Sequence, residues 1–258
     1  MLTDLTPIAT LPVSMFAVFA IAARITAILV FLPIPGGRNT PDAVRLTLGL
    51  CIAVSIALAR GADLDAPSEE TLVVALVSEA GYGIAIGLMV RLVEDAFLAG
   101  AQMIGLQAGF SFPSTIDPSS QSDSTALQIC FSLATGLLFF STGLHTRLIG
   151  IAASGIDGHP LGRPFNYAAG LEAITSGGAA IFVMALRLAM PCLTILLIVD
   201  LSLALAGRLT PQMQFLSLAF PAKLLVSLAV VGLTLLHLPA LYEEMTSRMF
   251  ESILACLR

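Results

Sequence analysis

The sequence is poor in charged residues. Of its 258 residues only 12 are Lys or Arg and 17 are Asp or Glu, so charged residues make up 11% of the chain. About a quarter is typical of soluble domains. Hydrophobic residues make up 57%, and the mean hydropathy is +0.95. The composition therefore predicts an integral membrane protein in contact with lipid. The net charge of −5 leaves no basic footprint for nucleic acid, which we exclude as a partner.

Closely spaced cysteines are also missing. Cys51, Cys130, Cys192 and Cys256 are far apart in the chain, and no two of them form a C-x-x-C motif. Disulfide frameworks and zinc sites need ligands that lie close together in sequence. We therefore interpret the four cysteines as small apolar residues, and we expect neither a metal nor a cofactor.

Six apolar segments dominate the chain. We predict helices at residues 11–32, 41–59, 72–105, 127–144, 179–205 and 215–238. A membrane span needs about 20 apolar residues, so the second segment is short for a crossing and the third is long for one. Proline disfavours helix interiors, so we expect Pro191 to break the fifth helix, Pro221 to kink the sixth and Pro239 to end it. The polar stretch 145–176 is predicted to be an aqueous loop, and residues 207–211 a tight turn.

Five ionisable residues lie inside the apolar segments: Arg24, Glu79, Arg187, Asp200 and Lys223. Charge at membrane depth is costly unless the group has a partner or water. One interpretation is an ion or proton relay, as in a secondary transporter. The other is that each group pairs with a charge or a backbone carbonyl on a neighbouring helix or subunit. We favour pairing, because a relay places carboxylates on facing helices, which the spacing does not show. The basic residues of the loops leave the orientation in the membrane undecided.

Residues 105–124 interrupt the apolar helices with a stretch that cannot be continuous helix. It contains Gly105 and Gly109 at its start, and Pro113 and Pro118 lack the amide hydrogen that a helix needs. Its serine-rich second half would be costly to expose to lipid. Non-helical backbone at membrane depth is tolerated where it is buried in protein or lines a water-filled cavity. This stretch is therefore either an aqueous connector or the working part of a pore.

Two phenylalanines, Phe110 and Phe112, alternate within this interruption. Ordinary packing is the usual fate of phenylalanine in an apolar protein. Two rings in a loop bounded by glycine and proline in a membrane protein are, however, typical of a hydrophobic constriction that excludes water. We favour the constriction.

The same stretch also permits a weaker hypothesis, an intramembrane hydrolase with Ser111 and either His145 or His237. The motif is poor, because a phenylalanine follows Ser111 where a small residue is expected and no third group orients either histidine. We expect no enzyme activity. His145 and His159 are interpreted as solvated residues, and His237 as a residue at a helix end.

Several motifs, spread over nearly the whole chain, carry a family resemblance. They are residues 24–35 followed by Arg45; Glu79, Gly83 and Gly87; Gly100, Gly105-Leu106-Gln107-Ala108-Gly109 and Ile116-Asp117-Pro118; and Gly207-Arg208-Leu209-Thr210-Pro211-Gln212-Met213-Gln214 with Ala219-Phe220-Pro221-Ala222-Lys223. With these the chain resembles the FliR family, the T-subunit family of type III secretion export gates. The Pro-Gln-Met block followed by Phe-Pro-x-Lys is the most specific part. Gln214, Ala219 and Ala222 are mild departures from the family pattern.

The resemblance implies an all-α integral membrane protein that is a helical-hairpin subunit of a conical export-gate channel. It implies a single domain over 1–258, with an N-terminal P-like helical part to about residue 145 and a C-terminal Q-like helical hairpin part from about 146. It further implies that 105–124 is a plug loop. The plug residues would be Gly105, Gly109, Phe110, Phe112, Pro113, Ile116, Asp117 and Pro118.

The resemblance also implies partners and a location. The partners would be P-type and Q-type gate subunits, the B-type substrate-switch protein and the A-type export protein, and the cargo would be unfolded secreted substrates. We expect a flagellar gate at the basal body in the bacterial inner membrane. The runner-up function is an ion-coupled secondary transporter that uses the intramembrane charges.

Overall fold

The computed structural model describes residues 11–32, 41–60, 72–110, 126–158, 161, 164–209 and 215–256. Within these ranges it contains seven α-helices and no strand. The helices are α1 Leu11–Phe31, α2 Asp42–Arg60, α3 Leu72–Ala108, α4 Ala126–Ser141, α5 Leu144–Gly158, α6 Tyr167–Leu209 and α7 Phe215–Cys256. All six apolar segments form helices, so the prediction of an all-α protein is confirmed. The division at about residue 145 into P-like and Q-like parts stays a prediction.

The lengths of the helices fit a membrane protein. Among the described residues, three helical stretches are long and apolar enough to cross a membrane: Val73–Ala108, Tyr167–Leu209 and Pro221–Glu251. The number rises to four if α4 and the first part of α5 form one broken span. Helix α3 has 37 residues and is about 55 Å long at 1.5 Å per residue, whereas a bilayer core is about 30 Å thick. It is therefore longer than a single crossing requires, as the sequence predicted.

The prediction of an aqueous loop over residues 145–176 is wrong, because two helices occupy most of it. Helix α5 covers Leu144–Gly158, and α6 begins at Tyr167. The start of α6 is fixed by Asn166, whose side-chain oxygen accepts a hydrogen bond from the Ala169 amide at 3.2 Å. This is the bond that an N-cap residue makes to the third residue of a helix.

Helix α5 was missed because it is amphipathic rather than apolar. Leu144, Leu148 and Ala152, spaced four residues apart, are buried, while Thr146 and Arg147 are exposed. This spacing puts one apolar stripe on one side of the helix. A helix with a polar outer face has too low a mean hydropathy to be recognised as a membrane segment.

Proline does not end any of the long helices where we expected it. Pro191 lies inside the 43-residue helix α6, and Pro221 and Pro239 lie inside the 42-residue helix α7. The predictions that Pro191 breaks its helix and that Pro239 ends its helix are therefore wrong. Proline removes one backbone hydrogen bond, but membrane helices tolerate it when neighbouring groups satisfy the freed carbonyl. Helix α6 ends at Leu209, inside the predicted turn 207–211.

The chain forms two compact units, and the first contains residues 1–92, 139–177 and 247–258. Its helices α1 and α2 pack against each other and run antiparallel. Arg45 near the start of α2 donates a hydrogen bond from Nη1 to the carbonyl of Val30 in the last turn of α1, at 3.2 Å. Further along, Gly49 of α2 lies directly against Thr26 of α1. A cation at the C-terminal end of a helix is favourable because it meets free carbonyls.

The second unit contains residues 93–138 and 178–246. Within it, α3 packs closely on α6, since Gly100 of α3 lies against Leu188 and the carbonyl of Ala185. The ring of Phe97 of α3 also packs against the ring of Tyr242 of α7, with centroids 5.6 Å apart and the planes tilted by 40°. These contacts place parts of α3, α6 and α7 side by side in one core.

Candidate functional site: ion pairs and a capped helix end

A fully buried ion pair lies in the first unit. Arg24 Nε and Glu79 Oε2 are 2.6 Å apart, and the side chains are 0% and 1% exposed. The guanidinium carbon of Arg24 also lies 4.3 Å from the centroid of the Tyr82 ring, a cation–π distance. Such a pair is stable only when both charges have good partners, and this site supplies an opposite charge and an aromatic face.

Two glycines allow the helices that carry this pair to approach each other. A Cβ at Gly83 would overlap the carbonyl oxygen of Arg24 and press on the Ala27 side chain. A Cβ at Gly87 would lie 3.0 Å from the backbone of Ile28. Small residues at four-residue spacing let helix backbones come close in membranes. The interpretation of Gly83 and Gly87 as a close-packing face is confirmed.

The second unit contains a network of three polar side chains, Gln107, Asp200 and Lys223, which we call the triad. Lys223 Nζ and Asp200 Oδ1 are 2.5 Å apart. Gln107 Nε2 donates a hydrogen bond to the other carboxylate oxygen, Asp200 Oδ2, at 3.1 Å. The side chains of Lys223 and Asp200 are 24% and 33% exposed. The structure thus brings α3, α6 and α7 together at one carboxylate.

A further ion pair joins α6 and α7. Arg187 Nη1 and Glu244 Oε1 are 3.5 Å apart, and their side chains are 54% and 40% exposed. A long, open pair of this kind contributes little in water. Its position matters more. Arg187 in the middle of α6 meets Glu244 in the second half of α7, while Asp200 and Lys223 meet nearer the connection between the two helices. The two helices therefore form an antiparallel hairpin.

The five ionisable residues singled out in the sequence are all placed by these pairs. Two pairs form among themselves, Arg24 with Glu79 and Asp200 with Lys223, and Arg187 pairs with Glu244. All of these partners lie in the same chain.

Helix α3 ends in a fixed turn at the start of the interruption. The Phe110 amide donates to the Gly105 carbonyl at 2.9 Å, and the Gly109 amide donates to the Leu106 carbonyl at 3.3 Å. Gly109 has φ of +85°, a conformation that glycine adopts without steric cost. These two bonds and this φ define a Schellman motif. The motif sets the direction in which the chain leaves α3, and Phe110, directly after it, is half-buried.

Only part of the predicted plug is placed. Gly105 lies in the last helical turn of α3, so the interruption begins at Gly109 and not at Gly105 as predicted. Gly109 and Phe110 lie in the capping turn, while Phe112, Pro113, Ile116, Asp117 and Pro118 fall outside the described residues. The same holds for Pro211, Gln212 and Met213 of the family motif, whereas Phe220 and Pro221 lie in α7. Gln107 is a polar contact that our reading of the sequence missed. Its position in an apolar helix next to two glycines was the available indication.

The histidines differ from our expectations. His145 is half-buried, and its ring centroid lies 5.3 Å from Phe140 and 6.3 Å from Phe139, so its interpretation as a solvated residue is wrong. His237 does not end a helix, because α7 continues to Cys256. Ser111 and His159 lie outside the described residues. Among the residues that are described, no group of three His, Cys, Asp or Glu side chains could hold a metal ion.

These features define an all-helical membrane protein whose apolar helices are joined by internal ion pairs. Residues 15–249 match the model of the family described as bacterial export proteins, family 1. This chain belongs to that family, and within it to the FliR group. The resemblance found in the sequence is thereby confirmed.

Curated relatives give the same result. The flagellar biosynthetic protein FliR of Escherichia coli (strain K12) is 31% identical over 88% of this chain and 87% of that protein. The protein of the same name from Caulobacter vibrioides is 29% identical over 83% of this chain and 86% of its own length. The one from Bacillus subtilis (strain 168) is 25% identical, and the match covers 79% of this chain and 80% of that protein. The similarity thus extends over most of each chain.

Proposed function

We propose that this chain is a channel-forming component of the flagellar type III protein export gate. Its family membership, the names of its relatives and its apolar helices support a role in flagellar export within a membrane. Unfolded substrates would cross the bacterial inner membrane through the gate at the flagellar basal body. The role needs no catalysis by this chain, and we propose that it is not an enzyme.

The gate would also contain P-type and Q-type subunits, and it would work with the B-type substrate-switch protein and the A-type export protein. Supporting this, α6 and α7 carry large apolar side chains that are exposed in the isolated chain, among them Leu197, Leu201, Leu228 and Leu236. Faces of this kind pack against lipid or against other subunits.

We further propose that residues 105–124 plug the channel. The observation that carries this proposal is the capped end of α3, where Gly109 turns the chain and the half-buried Phe110 begins the interruption. The rings of Phe110 and Phe112 would fill the lumen with apolar surface. Burying each ring is worth about 2–3 kcal/mol, enough to keep the closed state dominant and small enough for an entering substrate to displace.

The ion pairs support a scaffold in preference to the alternative, an ion-coupled transporter. A relay needs carboxylates that release and accept ions, but Glu79 is buried against Arg24, and Asp200 is held by Lys223. A transporter should work when it is purified alone and should lose function in Glu79→Gln or Asp200→Asn. A gate subunit purified alone should transport nothing, with or without these changes.

The experiment that tests the plug is ion conductance of the assembled complex in a planar bilayer. Shortening the loop between Gly109 and Asp117 should raise the conductance while the complex still assembles. The matched control changes Ser119, Ser120 and Ser122 to Ala and should conduct like wild type. If the shortened form assembles and conducts no more than wild type, the stretch is only a connector.

A further inference from the structure

The carboxylate of Asp200 has two partners from two other helices, and one of them belongs to the capped end of α3. We propose that the triad positions this end, with Gln107 as a positioning residue that holds Phe110 in its resting direction. The inference rests on the proposed function, because it assigns the control of the constriction at Phe110. It adds Gln107, a residue for which the family resemblance implied no role.

Gln107 lies between the residues whose carbonyls and amides close the cap. The two carbonyls that close the cap belong to Gly105 and Leu106, directly before Gln107, and the two amides that they accept belong to Gly109 and Phe110, directly after Ala108. The bond from Gln107 to Asp200 therefore acts on the same helical turn as the cap. Moving the Gln107 side chain away from α6 moves the turn from which Phe110 projects.

Each of the two carboxylate oxygens of Asp200 has its own partner. Lys223 occupies Oδ1 at 2.5 Å, and Gln107 donates to Oδ2 at 3.1 Å. A hydrogen bond to an ionised carboxylate is roughly twice as strong as one between neutral groups. Lys223 supplies the counter-charge that holds the Asp200 carboxylate in place, so it fixes the acceptor of the hydrogen bond from Gln107. A change at Lys223 on α7 is thereby transmitted to the end of α3.

The triad is intermediate in exposure between the other two ion pairs. The Arg24–Glu79 pair is sealed from its surroundings, and the Arg187–Glu244 pair is open enough to be screened. The triad lies between these limits, with its charged side chains 24% and 33% exposed. Within this chain the triad is therefore less sealed than the Arg24–Glu79 pair and less screened than the Arg187–Glu244 pair.

The test uses the assembled complex with Gln107→Met, which keeps the length of the side chain and removes its donors. Gln102 is the matched control, because it has the same side chain on the same helix and is exposed. Hydrogen exchange of the backbone amides of Gly109 and Phe110 is measured in each variant. We expect exchange about tenfold faster in Gln107→Met and unchanged in Gln102→Met. Planar-bilayer conductance should rise in Gln107→Met alone.

Substitutions at the charged members test the transmission from α7. Lys223→Arg keeps the charge and should exchange within about twofold of wild type, whereas Lys223→Met should raise the exchange of Gly109 and Phe110 in the same direction as Gln107→Met. Because both changes act through one carboxylate, their effects should be less than additive in the double variant. Gln107→Asn, which is one methylene shorter, is measured in parallel in case Gln107→Met does not assemble.

The outcomes separate this inference from the proposed function. If the loop-shortened gate leaks while the Gln107 variants neither leak nor exchange faster, the triad does not position the helix end and the plug stands. If the Gln107 variants exchange faster but the loop-shortened gate does not leak, positioning stands and the plug fails. Equal exchange in Gln107→Met, Gln107→Asn and Gln102→Met would overturn the inference.

Discussion

Arg24 and Glu79 are 55 positions apart in the chain, and their side chains meet at 2.6 Å with almost no exposure. Removing one member of a buried ion pair leaves a charge without a counter-charge, and this costs about 3–5 kcal/mol. Removing both members costs much less, because no isolated charge remains. The pair therefore acts as a specific constraint on how α1 and α3 fit together.

We expect Glu79→Gln to lower the recovery of the assembled complex and its thermal midpoint. The double variant Arg24→Met/Glu79→Met should recover better than Glu79→Gln, because it removes both charges. Recovery after detergent extraction and the thermal midpoint are the measurements. Glu172→Gln is the control, since Glu172 is exposed on α6 and should behave like wild type. A Glu79→Gln complex as stable as wild type would contradict the prediction.

Gly83→Ala should destabilise the protein although alanine is the better helix former. The added Cβ would overlap the carbonyl oxygen of Arg24, and forcing extra volume into a close helix contact costs about 1–3 kcal/mol. The matched control is Gly232→Ala, which has no atom within 4 Å of the new Cβ and should be neutral or slightly stabilising. Thermal midpoints of the two variants check this. Equal midpoints would show that α1 moves aside at no cost.

Gly109→Ala should disturb the end of α3, because an L-residue with a Cβ at φ of +85° is strained by about 1–2 kcal/mol. Gly109→Asn should be milder, since asparagine visits this conformation more readily. If the cap aims Phe110 into the channel, bilayer conductance should rise more for Ala than for Asn. The control is Gly178→Ala, at an open helical position. The same conductance in Gly109→Ala, Gly109→Asn and Gly178→Ala would show that the cap does not aim Phe110 into the channel.

The isolated chain should aggregate or be readily digested in mild detergent, and it should become resistant to proteolysis together with P-type and Q-type subunits. The intramembrane charges are not the reason for this, because they have partners within the chain. The reason is apolar surface, since large side chains such as Leu58 and Leu236 are more than 70% exposed. Size-exclusion profiles and limited proteolysis are the measurements. A monodisperse, resistant single chain would be the opposite result.

The sequence by itself determined the class of the protein and the position of most of its helices. Transfer of apolar residues out of water depends on local composition, so hydropathy located the helices that contain Arg24, Glu79, Asp200 and Lys223. The glycine spacing at Gly83 and Gly87 also showed where a neighbour packs closely. Local composition failed at α5, where polar residues separate the buried Leu144, Leu148 and Ala152 along the sequence. It failed as well at Pro191 and Pro239, because tolerance of proline depends on what surrounds a helix.

Tertiary structure alone decided which charges meet. The sequence shows that a charge inside an apolar segment needs a partner, since the energy of burial is a property of each residue. It does not show which partner, because that depends on the crossing of helices whose residues are far apart. Gln107 and Asp200, 93 positions apart, are joined only once α3 and α6 pack together. Through that contact Gln107, to which the sequence assigned no role, belongs to the triad with Asp200 and Lys223.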